Sequence, residues 1–425
     1  MKEIKLKHIN ESVYYERLDN GLDVYLYSKK DYHNNYVTFT TKFGSINHRF
    51  VPIGEEKMIS VPLGIAHFLE HKVFAQKDDP QPSDFFAKTG TLNNAFTTFK
   101  NTTYLFSGPN DLIENINYLL DFVQSPYFTD ENVNAEKGII TQEIRMCDDR
   151  PMDVLYEHIR KTTLHTNPYK DSIIGDVKDI NKINKELLYK CYNTFYHPSN
   201  MFMVITGNFD MDIVVNSIIE NQRRKDYKKT DRIKTAKLRE KDVIVKSRDV
   251  VKINTKIPKV SYNIKIPIDK FNIEKRKLSI YMYVLFGILF DDSSLFDEKA
   301  KNESVITNSM YVNVLNTESH FIISLISETN KYEDLIKMIK KELCNIKIKN
   351  EDLERKKKVL ISNEVFSFEN IEIVNEMIID NIIFDNHVED DIIGIINSLN
   401  IDELNSIIKK IDFNNTSEVI LTSKK

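Results

Sequence analysis

Two histidines and a glutamate in the first fifth of the chain follow the order H-x-x-E-H: His67, Glu70 and His71. If residues 64 to 75 form a helix, the two histidines lie four positions apart and project from the same face, with about 5–6 Å between their Cβ atoms. Both imidazole rings can then reach the same ion. Zinc binds such nitrogen ligands at roughly 2.0–2.1 Å, and a catalytic zinc site uses three protein ligands and leaves a further position open. The spacing therefore predicts two ligands of a catalytic metal site.

Glu70 stands one residue before the second histidine and is predicted to act as a general base. Metal coordination lowers the pKa of a water molecule to about 7, so a nearby carboxylate can take its proton at neutral pH and later pass it to a leaving group. A different explanation stays open at this point, because five-residue patterns arise by chance: His67 and His71 could be hydrogen-bonded core residues, with Glu70 exposed to solvent. A third metal ligand decides between the two.

A second predicted helix, within residues 129 to 149, offers that ligand. Its first turn is rich in acidic residues, as the helix dipole prefers, and Glu136 and Glu143 lie seven positions apart on the same face. Glu143 can serve as the anionic third ligand, and Glu136 can form a hydrogen bond either to one of the ligands or to the zinc-bound water. Two exposed glutamates on a solvated helix are the alternative.

Residues 91 to 108, TLNNAFTTFKNTTYLFSG, are rich in β-branched and aromatic side chains and predict a hairpin that turns near Asn101. An extended peptide that lies along an exposed sheet edge gains main-chain hydrogen bonds whatever its sequence. A strand here could therefore hold a peptide, although an ordinary internal hairpin accounts for the same pattern.

Composition and charge narrow the class of protein. The 425 residues are enough for two to three domains. The three cysteines form no C-x-x-C pair, which argues against a disulfide framework or a thiolate zinc site and favours a reducing compartment. The net charge of −4, with both signs spread along the chain, indicates no affinity for nucleic acid or membrane. The N-terminus carries no apolar signal segment and no run of eighteen uncharged apolar residues occurs, so we expect a soluble, cytoplasmic protein.

The chain divides into two related halves. Residues 221–246 are densely charged and poor in apolar side chains, which predicts a surface linker between a first domain at residues 1–220 and a second domain, without a metal site, at residues 247–425. The last segment, residues 401–425, repeats the helix, break and strand of residues 184–208, a pattern typical of duplication. The predicted fold class is α+β, with two homologous α/β-sandwich domains, each a mostly antiparallel sheet with helices packed on it.

The combination of HFLEH with EKGIITQEIRMCDD about seventy residues later resembles the pitrilysin/insulinase family of inverted zinc metallopeptidases. The resemblance implies an enzyme that hydrolyses peptide bonds with one Zn²⁺ ion per chain. It implies His67, His71 and Glu143 as the zinc ligands and Glu70 as the base. It also implies Glu136 as a helper that forms a hydrogen bond within the site.

The resemblance extends to the hairpin and to the end of the first half. LNNAFTT is similar to the family's Asn-Ala strand, which lines the cleft and pairs with substrate, and this implies Asn94, Ala95, Phe96 and Thr97 as substrate-binding residues. Residues 194–210 resemble the element that closes the family's first domain. The likeness covers essentially the whole chain, but it reaches the level of motifs only in the first half.

One departure from the family pattern concerns the second half. Active members use an arginine and a tyrosine of the second domain to hold the substrate carbonyl, in a stretch that corresponds to residues 294–312 here. This chain has no arginine between Arg276 and Arg355, although Tyr311 lies in the stretch. Some small bacterial members work as two different chains, of which one carries the zinc motif and the other the arginine and tyrosine. The resemblance thus implies that this chain is the metal-bearing member of a heterodimer, and that the heterodimer closes like a clamshell around a peptide. A homodimer is the alternative.

The sequence therefore predicts a zinc endopeptidase that cleaves short unfolded peptides and needs a homologous partner chain for full activity. Two alternatives stay open. The chain could be a non-catalytic structural or peptide-binding subunit, although the intact ligands and base count against that role. Manganese or cobalt could take the place of zinc, because the order of metal affinities does not select the metal by itself.

Overall fold

The computed structural model describes residues 1–77 and 82–423. Numbered in chain order, the strands are β1 Lys2–Leu6, β2 Glu11–Arg17, β3 Asp23–Ser28, β4 Asn35–Thr41, β5 Arg49–Phe50, β6 Ile59–Ser60, β7 Leu92–Thr97, β8 Thr102–Gly108, β9 Met201–Gly207, β10 Arg248–Ile253, β11 Lys259–Pro267, β12 Tyr311–Asn316, β13 His320–Glu328 and β14 Thr416–Ser423. The hairpin predicted within residues 91 to 108 is the pair β7 and β8.

The helices, in the same order, are α1 Ile65–Val73, α2 Pro82–Lys88, α3 Leu112–Val123, α4 Asp130–Asp148, α5 Pro151–Thr163, α6 Val177–Ile180, α7 Lys185–Phe195, α8 Met211–Arg223, α9 Lys275–Phe290, α10 Leu295–Asn302, α11 Tyr332–Leu343, α12 Asn350–Ser367, α13 Ile371–Asp385, α14 Ile392–Asn397 and α15 Ile401–Lys410. The helix predicted at residues 64 to 75 is α1, which is one residue shorter at its start and two residues shorter at its end. The predicted acidic helix is α4, and the Thr129 hydroxyl caps it by accepting a hydrogen bond from the Asn132 amide at 3.1 Å.

The chain folds into two compact units, and each is built from three segments. The first unit contains Met1–Ile144, Ser172–Ala236 and Glu364–Ile392, and the second contains the described residues of the remaining segments. The change from the first unit to the second between Ala236 and Lys237 falls inside the predicted linker. Two segments, residues 145–171 and 364–392, depart from the contiguous domains predicted from sequence.

The first unit is organised around a seven-stranded sheet in the order β1-β2-β3-β9-β4-β8-β7. Strands β3 and β9 run parallel, and every other neighbouring pair is antiparallel. The main core lies on the face that α1, α3 and α7 cover. Strand β7 forms one edge of this sheet, so its outer side is available for pairing.

The second unit repeats the last five strands of that order. Its sheet has the order β10-β14-β11-β13-β12, with β10 and β14 parallel and the other pairs antiparallel. The matching strands of the first unit are β3-β9-β4-β8-β7, with the same directions and the same sequence of strands along the chain. The predicted fold class, two homologous domains of mostly antiparallel sheet with packed helices, is confirmed.

The two departing segments each carry a helix that covers a sheet distant in sequence. Helix α5 packs on β14 and β11 of the second unit, and α13 packs on β9 and β4 of the first. The amide of Asn375 on α13 donates to the carbonyl oxygens of Tyr36 and Val204, both at 3.1 Å, and accepts from the Thr38 hydroxyl at 2.7 Å. These bonds fix α13 on the sheet, because Asn375 is fully buried and would otherwise leave polar atoms unsatisfied.

The stretch Lys275–Asn302, which contains α9 and α10, is long and apolar enough to cross a membrane by length and composition alone. Its apolar residues have a different environment here, since Leu278, Leu285 and Phe286 of α9 are fully buried in the core of the second unit. Such burial is typical of a core helix in a globular domain.

Candidate metal centre

Helix α1 carries the H-x-x-E-H residues and starts at a contact between two glycines. Gly64 directly precedes the helix and has a φ of +78°. Gly175, with a φ of +75°, lies against Gly64. A Cβ atom on Gly64 would lie 2.4 Å from the carbonyl oxygen of Ile174. The backbone therefore needs glycine at residue 64 both for its conformation and for this close approach. This contact fixes the point from which α1 projects His67 and Glu70.

The structure brings His67, His71 and Glu143 together. One possible ligand atom from each lies within 4.8 Å of the other two, and no second group of this kind occurs among residues 1–77 and 82–423. Nε2 of His67 lies 3.6 Å from Oε1 of Glu143, and Nε2 of His71 lies 3.7 Å from its Oε2. These atoms are too far apart for good hydrogen bonds. Two ligand atoms that sit tetrahedrally at about 2.1 Å from an ion are themselves roughly 3.4 Å apart, so the observed spacing fits a bound zinc ion.

The two histidines differ in their electrostatic surroundings. Burial, together with the neighbouring His71, lowers the pKa of His67 to about 3, so this ring is neutral at physiological pH and its nitrogen can act as a ligand. Burial alone would lower the pKa of His71, but the carboxylates of Glu136, Glu70 and Glu143 raise it overall. The group thus combines two imidazoles with an anionic carboxylate, a donor set that zinc favours.

Glu136 contacts the second histidine from the side opposite Glu143. Its Oε1 lies 3.0 Å from Nδ1 of His71, and its Oε2 accepts a hydrogen bond from Nζ of Lys72 at 3.3 Å. A carboxylate on Nδ1 keeps a proton on that nitrogen and leaves Nε2 free to bind a metal. The structure therefore places Glu136 where the sequence predicted a hydrogen-bonding helper.

Glu70 is buried beside this group and faces a cleft of about 350 Å³. Burial raises the pKa of its carboxyl group, and a hydrogen bond from the Thr97 hydroxyl at 2.6 Å opposes that rise. The cleft brings the predicted base together with part of the predicted substrate strand, and its lining residues are Glu70, His71, Phe74, Ser83, Asn93, Asn94 and Ala95.

The four predicted substrate-binding residues have different positions on β7. Asn94 and Ala95 line the cleft, and the Asn94 side chain accepts a hydrogen bond from the Ala95 amide at 2.9 Å. Phe96 follows on the same strand outside the cleft lining, and the Thr97 hydroxyl contacts Glu70. Sequence reasoning missed this last contact, and it also missed Lys72. A lysine inside an apolar helical segment was a signal that its charge needs a buried partner.

The second unit has no corresponding metal group among its described residues. Along the chain, α9 follows β11 and precedes β12, just as α1 follows β4 and precedes β7. The sequence of α9, KRKLSIYMYVLFGILF, contains no histidine. Tyr311 is the first residue of β12 and is exposed.

Comparison with known protein families identifies the chain. The family model described as "Insulinase (Peptidase family M16)" matches residues 59–177, and the model "Peptidase M16 inactive domain" matches residues 182–360. Together they cover more than half of the chain. The chain belongs to the insulinase, or M16, peptidase family. The first match contains all the H-x-x-E-H residues and Glu143, whereas the second match contains none of these residues and begins within the first unit.

Relatives within the M16 family are named as zinc proteases. YmfH of Bacillus subtilis, described as an uncharacterized zinc protease, is 43% identical over 296 residues, which are 69% of each chain. An M16-like peptidase structure from Alicyclobacillus acidocaldarius is 28% identical, with a TM-score of 0.91 over 98% of this chain and 99% of that one. A beta subunit of mitochondrial-processing peptidase from Arabidopsis thaliana is 26% identical over 36% of this chain and 30% of its own.

Proposed function

We propose that this M16 chain is a zinc endopeptidase, with His67, His71 and Glu143 as the zinc ligands and one ion per chain. The observation that carries the proposal is the convergence of three ligand atoms within 4.8 Å beside a buried glutamate at the cleft. When bound there, zinc supplies a Lewis acid that polarises a peptide carbonyl and makes a nearby water more acidic.

Glu70 is the general base in this proposal. Its carboxylate takes a proton from the attacking water and later gives that proton to the amine that leaves. Burial raises the pKa of this carboxyl group above its usual range, a direction that suits a group that must both accept and donate a proton in one reaction. Among the described residues that line the cleft, Glu70 is the one acidic side chain.

Strand β7 is the proposed peptide-binding edge. The Thr98 amide donates to the Asn101 carbonyl across the hairpin, so alternate residues, including Ala95, turn their amide and carbonyl groups away from β8. In the structure, the Ala95 amide donates its hydrogen bond to the Asn94 side chain. An extended peptide backbone could replace it and form an additional strand, which favours short unfolded substrates over folded proteins.

We infer that full activity needs a partner chain. The second half lacks an arginine between Arg276 and Arg355, and a homologous chain that supplies an arginine and a tyrosine would complete the site of a clamshell heterodimer in the cytoplasm. The beta subunit of mitochondrial-processing peptidase, similar over part of its length, is by its name one component of an assembly.

Metal analysis and peptide hydrolysis of the purified protein test the proposal. We expect one zinc ion per chain and cleavage of unstructured fluorogenic peptides, either by the chain alone or after addition of a homologous chain from the same organism that lacks H-x-x-E-H. Chelation should abolish cleavage and added zinc should restore it. If the chain holds zinc but cleaves no peptide, either alone or with the homologous chain, it is a non-catalytic subunit. A chain without affinity for zinc would contradict the metal assignment.

A further inference from the structure

We propose that Thr97 is a positioning residue that orients the catalytic base Glu70, so that one carboxylate oxygen is held by the protein and the other faces the cleft. This inference rests on the proposed peptidase function, because it assigns Glu70 the role of base. It gives the side chain of Thr97 a role that differs from the predicted contact with substrate.

The count of hydroxyl protons determines the direction of the hydrogen bond. Oγ1 of Thr97 lies 2.6 Å from Oε2 of Glu70 and 3.3 Å from Oγ1 of Thr102. Thr102 donates its only hydroxyl proton to the carbonyl oxygen of Phe43 at 2.9 Å, since a carbonyl can only accept. The Thr97 hydroxyl donates to Glu70, the nearer of its two possible acceptors, and a carboxylate that serves as the base can only accept. A short bond from a neutral hydroxyl to a charged oxygen is among the stronger hydrogen bonds in proteins.

The bond restricts a side chain that would otherwise be free to rotate. Within the described part of the chain, the Thr97 hydroxyl is the hydrogen-bond donor to the Glu70 carboxylate. Glutamate has three rotatable side-chain bonds, and the last of them is broad and weakly restrained without a partner. With Oε2 held by Thr97, Oε1 is the oxygen left to accept a proton in the cleft.

Thr97 is suited to this role because its own position is firmly set. It is the last residue of β7 and is paired with the fully buried Thr102 of β8. Two residues earlier on the same strand, Ala95 lines the cleft. The strand that would pair with the peptide therefore also holds the base. Strand β7 thus fixes the position of the substrate relative to the base.

Kinetics of two substitutions test the proposal. Thr97→Val keeps the shape of the side chain and removes the hydroxyl, and we expect kcat to fall by about 10- to 100-fold, the range for loss of a hydrogen bond to a charged group, with KM within about 2-fold of wild type. Thr97→Ser keeps the hydroxyl and should retain most of the activity. Thr103→Val is the matched control, because the Thr103 hydroxyl lies on the same hairpin and bonds Thr40 at 2.9 Å.

Three kinetic outcomes would overturn the assignment: wild-type kcat in Thr97→Val, equal losses in the valine and serine variants, or a rise in KM with kcat preserved. Crystal structures of the metal-free variants give a second measure that does not depend on turnover. We expect Glu70 to keep its rotamer in Thr97→Ser and to leave it in Thr97→Val. An unchanged Glu70 rotamer in Thr97→Val would also overturn the inference. If the wild type cleaves no peptide, either alone or with the homologous partner chain, the proposed function fails, and the structures still decide whether Thr97 orients Glu70.

Discussion

Nδ1 of His71 lies 3.0 Å from Oε1 of Glu136, so a partly buried carboxylate supports one of the histidines of the metal group. The second oxygen of Glu136 accepts from the ammonium group of Lys72, which is almost fully buried. Burial alone would raise the pKa of Glu136, but the hydrogen bond with His71 and the charge of Lys72 lower it overall. Glu136 therefore stays ionised and keeps Nε2 of His71 directed at Glu143.

Glu136→Ala should weaken zinc binding by about 10- to 100-fold, the usual effect of removing a residue that forms a hydrogen bond with a metal ligand. Glu136→Gln, which can still accept a hydrogen bond from Nδ1, should have a smaller effect. Zinc titration against a competing chelator measures both. Glu131→Gln, an exposed position in the first turn of the same helix, is the control. Unchanged affinity in Glu136→Ala would mean that the contact does not orient His71.

Glu70→Gln should separate catalysis from metal binding. The amide has nearly the same shape but cannot act as a base, so we expect peptide turnover to fall by about 10²- to 10⁴-fold with zinc content unchanged. Glu143→Gln should instead lower zinc content, because it replaces the anionic ligand. Measuring zinc stoichiometry and turnover on the same samples distinguishes the two residues. A Glu70→Gln protein that cleaves peptides at the wild-type rate would show that Glu70 is not the base.

Gly64→Ala should destabilise the protein more than Gly54→Ala. Both glycines have positive φ angles, +78° and +76°, so an alanine strains the backbone at either position. A Cβ at Gly64 would also collide with the carbonyl oxygen of Ile174, whereas a Cβ at Gly54 would meet no atom within 4 Å. We expect a loss of about 1 kcal/mol for Gly54→Ala and about 3 kcal/mol for Gly64→Ala, read from unfolding midpoints. Equal losses would show that the contact with residues 174–175 does not constrain the start of α1.

The parts of the site that were predictable from sequence are those set by local periodicity. The four-residue spacing of His67 and His71 and the seven-residue spacing of Glu136 and Glu143 place each pair on one helical face, and the helices form as expected. The contact between Thr97 and Glu70 joins a strand to a helix across 27 positions, and no local pattern encodes it. Hydroxyl contacts of this kind depend on tertiary packing.

The same distinction explains the domain boundaries. An amphipathic pattern shows that a helix has an apolar face, but it does not show which sheet that face covers. Helix α13 packs on the first sheet because Asn375 finds buried carbonyl groups at Tyr36 and Val204, more than 170 positions away. The duplicated strand order could be predicted from the repeated pattern of helix, break and strand in the sequence. The placement of α5 and α13 could not be predicted in this way.

The stability of the second unit should fall in acid because of Glu240. Its side chain accepts hydrogen bonds from Nζ of Lys265 at 2.8 Å and from the amides of His165, Thr166 and Asn167, and it is fully shielded from solvent. Burial alone would raise the pKa of Glu240, but these donors lower it to about 2. A carboxyl group with a depressed pKa in the folded state contributes stability above its unfolded pKa of about 4.3, and the contribution is lost as pH falls towards 2.

Urea unfolding followed from pH 6 to pH 2 measures this contribution, and we expect a loss of about 2 kcal/mol that Glu240→Gln largely removes. Burial also lowers the pKa of Lys265, and the hydrogen bond with Glu240 opposes that fall. Glu298→Gln, at an exposed position on α10, is the matched control and should retain the wild-type pH dependence. If Glu240→Gln shows the same acid sensitivity as the wild type, other carboxylates must account for the loss.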